Sequence, residues 1–180
     1  MTALTSRPAR LGTAFASVAA AALVLGTAAP AAAEDPPAHD AVLEAGIACA
    51  DFAVGLDFVG GNRRTRELRG ANGDVVGTLV TGAAEAVVVT NLTTGESVTA
   101  PSRGAATRTT ITGEGTSTVT HTGNLLLILF PTDDPAGPST TLIQGRTVFT
   151  VAPDPFPNSD LITVQSITGR TIDLCAALAP

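Results

Sequence analysis

Apolar and polar residues alternate along most of the chain. Phe52, Val54, Leu56 and Phe58 alternate with Ala53, Gly55 and Asp57, a period of two that puts four large apolar groups on one face of a strand. Gly60-Gly61-Asn62 then turns the chain. Strands are predicted over 63–69 and 75–80, joined at Asn72-Gly73, a type I′ hairpin dipeptide whose two central positions need positive φ. Further strands are predicted over 86–92, 96–100 and 105–112, separated by Gly82-Ala83-Ala84, Thr93-Thr94-Gly95 and the loop 101–104. Gly113-Glu114-Gly115 predicts a hairpin into 116–122. The strand predicted over 124–130 is continuously apolar after Asn124, the signature of a strand covered on both faces. After a loop over 131–139 comes a long strand over 140–151, with Gly145 marking a bulge. A Pro-rich loop over 153–160 precedes a last hairpin, 161–168 and 171–175, around Gly169-Arg170.

About ten short strands joined by tight turns leave no room for parallel crossovers. The expected fold is all-β, a single antiparallel domain over 49–180. Consecutive hairpins favour a meander β-barrel, and the two longer loops allow a β-sandwich as the alternative. Ahead of it, 34–48 reads as a leader, mobile at its Pro-containing start, with one or two helical turns over 40–48 capped by Asp40.

Residues 1–33 follow a different pattern. Arg7 and Arg10 precede an apolar run over 11–25, broken by Gly26 and Pro30 and followed by Ala31-Ala32-Ala33. This is the pattern of a signal helix cleaved after Ala33. A retained anchor is the alternative, but the run is shorter than the ~20 apolar residues that span a membrane. Removing 1–33 changes the composition. The full chain has net charge −6, and the remainder loses two arginines, which leaves 8 Arg against 16 Asp+Glu, net −8. It holds no Lys, Trp or Tyr and 23 Thr. There is no basic surplus for nucleic acid and no aromatic platform for single strands or sugar rings.

Cys49 and Cys175 flank the β-domain. In an exported chain an even count favours a disulfide, and two cysteines allow one intramolecular pairing. Gly46-Ile47-Ala48-Cys49 also has the look of a lipoprotein cleavage box, but Glu34, Asp35 and Asp40 separate it from the apolar run.

Four segments carry a resemblance: Cys49-Ala-Asp-Phe-Ala-Val-Gly-Leu-Asp-Phe58, Val87-Val-Val-Thr-Asn-Leu-Thr-Thr-Gly-Glu-Ser-Val98, Gly145-Arg-Thr-Val-Phe-Thr-Val151 and Gly169-Arg-Thr-Ile-Asp-Leu-Cys175. In order and spacing they resemble a group of small secreted actinobacterial β-rich proteins with a terminal cysteine pair. The resemblance implies secretion, one domain and a Cys49–Cys175 bond. It brings no catalytic or binding residue with it.

The candidate chemistry is sparse. No Gly-x-Ser-x-Gly elbow is present, and of the two histidines His39 lies in the leader, so His121 is the one candidate acid–base group. Two separated histidines and a bonded cysteine pair make no zinc cage, so oxygen ligands raise the only metal question. In an up-and-down meander the turns holding Asp74, Glu96, Glu114, Asp133 and Asp134 fall at one end, as a cation site or as an acidic rim. Arg63, Arg64, Arg66 and Arg69 are the densest positive feature. Their planar forks suit carboxylates and phosphates, and the alternative is a charged edge strand that blocks aggregation. Alternating Thr116, Thr118, Thr120 and Thr122 line one face, as a recognition row or as a β-favouring solvent face. Asn91-Leu92-Thr93 fits the N-glycosylation pattern, with no expectation that an exported bacterial protein uses it.

The sequence therefore predicts a secreted, disulfide-stapled, non-enzymatic β-domain that binds a ligand or partner. Partners in view are an anionic envelope polymer or a secreted protein, with no nucleic acid, no membrane span after cleavage and no cofactor. The alternatives are a small barrel hydrolase or cyclase using His121, and a protease inhibitor presenting the 153–160 loop.

Overall fold

The computed structural model describes residues 38–101, 104–113, 115–153 and 160–180; the signal-helix expectation over 1–33 lies outside them. Ten strands and one short helix follow in order: β1 (Ala41–Leu43), β2 (Val54–Val59), β3 (Asn62–Arg69), β4 (Val75–Ala83), β5 (Ala86–Asn91), β6 (Ser97–Ala100), β7 (Gly104–Gly113), β8 (Thr116–Leu129), β9 (Ser139–Pro153), β10 (Asp160–Asp173) and α1 (Leu174–Leu178). All strand pairs are antiparallel, as expected. They form two sheets, a four-stranded one ordered β1-β2-β5-β6 and a six-stranded one ordered β10-β9-β8-β7-β4-β3. The β3–β4 hairpin leaves the first sheet for the second, and β5–β6 return to the first, so the chain is not a simple meander. Among the described residues neither sheet closes on itself.

The helical turns expected over 40–48 are replaced by β1, which pairs with β2. The Asp40 carboxylate caps no helix and accepts instead from Phe58 N–H at 2.8 Å. His39, expected in a mobile leader, is held as well. Its Nδ1 donates to Asp57 Oδ2 at 2.9 Å, and its ring lies over Gly55, where a Cβ would come within 2.7 Å. The β3–β4 turn falls where expected but in a different form. Gly73 N–H donates to Gly70 O, so the turn spans 70–73 and Gly73 is its last residue, at φ 85°. That is the three-residue hairpin with a left-handed glycine, not the two-residue type I′.

Gly123, left between two predicted strands, and Gly169, read from sequence as part of a turn, lie inside continuous strands. They sit in register with Gly145 across β8, β9 and β10. A Cβ on Gly145 would stand 2.0 Å from Thr168 O, and one on Gly169 would stand 2.3 Å from Gln144 O. Glycine is used here because neighbouring backbones touch where a side chain would begin. Gly123 and Gly169 also take left-handed φ values of 118° and 116°.

Beyond this glycine line the continuously apolar segment of β8 is covered on both faces, as its pattern predicts. Leu126 and Ile128 pack into a cluster with Val54, Leu56, Val89, Leu142 and the helix residues Leu174 and Leu178. Leu127 and Leu129 pack into a second cluster with Ile143, Ile162 and Val164. Burying each such side chain stabilises the fold by roughly 1.5–3 kcal/mol. The strand expected over 171–175 ends at Asp173, whose carboxylate accepts from Ala176 N–H at 3.0 Å and caps α1. Cys175 on that helix is bonded to Cys49, with 5.5 Å between Cα atoms. Thr140 Oγ1 donates to the carbonyl of the adjacent Ala48 at 2.9 Å.

Candidate functional site

Residues opposite one another in antiparallel strands point to the same face, so the register assigns a side to each candidate. Thr65, Val80, Thr107, His121 and Thr147 form one row across five strands of the six-stranded sheet. Two adjoining cavities, of about 230 and 130 Å³, open beside this row. They share Arg63, Ala84, His121 and Leu125. The larger is walled by Leu56, Phe58 and Val87 of the four-stranded sheet and by Leu126, Ile128 and Leu142 of the other. The smaller reaches Val80, Val119 and Phe149. The lining is thus mainly apolar with a few polar groups, the composition of small-molecule sites.

His121 is buried, and both ring nitrogens are engaged. Nε2 lies 3.0 Å from Asn124 O, a pure acceptor, so Nε2 carries the hydrogen. Nδ1 then accepts from the Thr107 hydroxyl at 2.8 Å. Burial lowers the pKa of His121 from its ordinary value; the bond to Asn124 O opposes this, and the nearby Arg63 guanidinium adds to it. His121 is therefore a neutral, doubly bonded imidazole. Its partners are a hydroxyl and a carbonyl, not the carboxylate that orients a catalytic base. Beside it in the row, Thr147 is fully buried and its hydroxyl has no hydrogen-bond partner among the described residues.

The structure divides the four clustered arginines. All lie on β3, an edge strand of the six-stranded sheet, where the charged-edge reading places them. Arg63 lines both cavities. Arg69 is occupied: its guanidinium donates to Glu67 Oε2 at 2.5 Å and to Gly73 O at 2.7 Å. Arg64 and Arg66 point to the opposite face of the sheet. One row there runs Arg64, Thr81, Ala106, Thr122, Arg146, Thr168, and the next runs Arg66, Leu79, Arg108, Thr120, Val148, Ser166. The alternating threonines 118, 120 and 122 share this outer face.

The acidic residues are not gathered. Asp74 follows β3 at one edge of the six-stranded sheet, whereas Asp134 bridges to Thr163 of β10 at the other edge in strand order. Glu96 precedes β6 in the four-stranded sheet. Glu114 lies outside the described residues, as does 154–159 of the proposed inhibitor loop. Asp133 is buried, and its carboxylate accepts from Phe130 N–H at 2.6 Å and Ile162 N–H at 2.8 Å. It binds the 131–138 loop to β10. No group of three His, Cys, Asp or Glu suited to a metal ion occurs among the described residues. Asn91 is fully buried, with its amide donating to Leu178 O at 2.8 Å and accepting from Thr93 N–H at 2.8 Å. It anchors α1 and presents no glycan acceptor.

Sequence reasoning did not find Glu85 and Asn124 at the cavity, nor Arg108 and Arg146 beside the β3 arginines. These residues lie apart in the chain, and only strand order joins them. Among the described residues no helix is long and apolar enough to cross a membrane. Comparison with family models, curated proteins and solved structures returns no match for this chain.

Proposed function

We propose that this chain is an exported, non-enzymatic binding domain that takes a small amphiphile, with an apolar body and one acidic head, into the paired cavities. The observation that carries this reading is that Arg63 lies at the junction of two mainly apolar cavities and, among the described residues, makes no ion pair. A guanidinium so placed offers two parallel donors to a carboxylate. Glu85 lines only the larger cavity and disfavours ligands with more than one negative charge. The two open sheets fit a sandwich with a cleft between its layers better than a closed meander barrel. The occupied nitrogens of His121 support a binding role over acid–base catalysis. The Cys49–Cys175 bond fits the oxidising environment that export provides.

The chain contains no Trp or Tyr, so a bound fluorophore is seen without intrinsic background. A dansyl-tagged medium-chain carboxylate is expected to brighten on mixing with the protein and to be displaced by the unlabelled acid. Arg63→Ser should weaken the acid by roughly tenfold, the worth of one charge-assisted contact, and leave the matching alcohol unaffected. Absence of brightening, or equal binding of the acid by wild type and Arg63→Ser, rejects the reading.

A further inference from the structure

We propose that the outer face of the six-stranded sheet binds an anionic polysaccharide, a sugar polymer carrying carboxylates or phosphodiesters. Its four arginines line neither cavity, and the proposal does not depend on the reading given to the cavities. Its basis is charge segregation. The chain has net charge −6, yet three successive cross-strand rows on this face hold four arginines and no acid. Arg64, Arg66, Arg108 and Arg146 are all exposed, and none has an ion-pair partner among the described residues. Arg69 shows the contrast, since Glu67 satisfies it.

The spacing follows from sheet geometry. Arg64 and Arg66, two residues apart on one strand, stand about 7 Å apart at the backbone, and Arg66 and Arg108, two strands apart, about 10 Å. Arg108 and Arg146 are about 12 Å apart by the same measures. One extended polymer with repeated negative charges spans several such positions at once, whereas a single small anion meets only one. The third row begins with Leu68 and Gly77 and continues as Thr110, Thr118, Thr150 and Thr163, whose hydroxyls both donate and accept toward sugar hydroxyls. The platform is paired strand, so little ordering is needed on binding. A membrane surface fits less well, because no Trp, Tyr or Lys is present to anchor at its interface. A nucleic acid single strand fits less well for want of rings to stack on.

The test uses the full chain on immobilised polygalacturonate and, separately, on a phosphodiester-bearing mannan, with neutral dextran as control. At about 50 mM salt the protein should be retained on one or both charged polymers and released as salt rises, as multiple ionic contacts require. Retention on the first identifies carboxylates as the ligand and on the second phosphodiesters. Arg108→Ser combined with Arg146→Ser should lower affinity roughly tenfold or more, two exposed charge contacts at near 1 kcal/mol each. Arg64→Ser with Arg66→Ser reads the same face should the first pair disturb folding. Retention on neither charged polymer overturns the proposal. So does wild-type affinity in both double variants, or capture by acidic-lipid vesicles with no polymer bound.

Discussion

His121 shows how a titratable residue is absorbed by its surroundings. A histidine on a strand is an acid–base candidate by residue type alone, and the register then sets Thr107 on one nitrogen and Asn124 O on the other. In the neutral ring Nδ1 accepts from the Thr107 hydroxyl; a protonated ring would instead donate Nδ1–H to the Thr107 oxygen, so it is burial, not this pair of bonds, that favours the neutral form. With its pKa lowered in the fold, the unfolded chain takes up this proton first as pH falls. The contribution of His121 is therefore fully present above the ordinary histidine value of about 6.5 and is lost as pH falls from there through the folded-state pKa. Urea unfolding as a function of pH should show stability declining below that point, with the decline reduced in His121→Leu. An unchanged slope in the variant contradicts the assignment. At the same scale, the sequence marked Arg63 only as one of four arginines; its place at the cavity junction depends on which face of β3 it takes and on what lies across from it.

At the scale of elements, hydrophobic periodicity located most of the strands, and glycine was where it misled. Gly82 and Gly169 read as turns, Gly123 as a break and Gly145 as a bulge, yet all four lie inside strands whose register runs through them unbroken, letting adjacent backbones meet. A turn glycine and a close-approach glycine are identical in sequence; they differ in whether a neighbouring strand occupies the Cβ position. Gly145→Ala should accordingly cost about 3 kcal/mol or more, at or above the usual range for forcing atoms into a packed site. Gly104→Ala has open space around it and no left-handed φ, so it should stay within about 1 kcal/mol of wild type. Chemical denaturation of the two variants makes the comparison, and similar midpoints would contradict the glycine line. Strand β1, expected as helical turns, and the helix α1 are the other elements the pattern missed. α1 has only five residues, too few for a period, and its start is decided by the Asp173 cap and by burial of Leu174 and Leu178 against the core.

For the whole molecule, the disulfide is the longest-range constraint, joining residues 126 apart in sequence. Closing a loop of that length is worth at most about 5 kcal/mol in the chain-entropy picture. Reduction, or Cys49→Ser with Cys175→Ser, should lower the unfolding free energy by an amount approaching that figure, read from denaturant midpoints with and without reductant. A negligible shift would show that α1 and β1 hold their places without it. The sequence by itself determined the all-β class, antiparallel pairing, the double coverage of 124–130, and the cysteine pairing. Those follow from side-chain periodicity, from turns too short for crossovers and from a count of two thiols, all local or combinatorial properties. The tertiary structure alone decided that β3–β4 leave one sheet for the other, and that the larger cavity is walled by residues of both sheets. It alone set Arg63, itself exposed, at the junction of the cavities and placed Arg64, Arg66, Arg108 and Arg146 in neighbouring rows on the other alternation face of the sheet. Strand order is fixed by which apolar faces cover one another across the core, a sum over distant contacts that no single segment of the chain encodes.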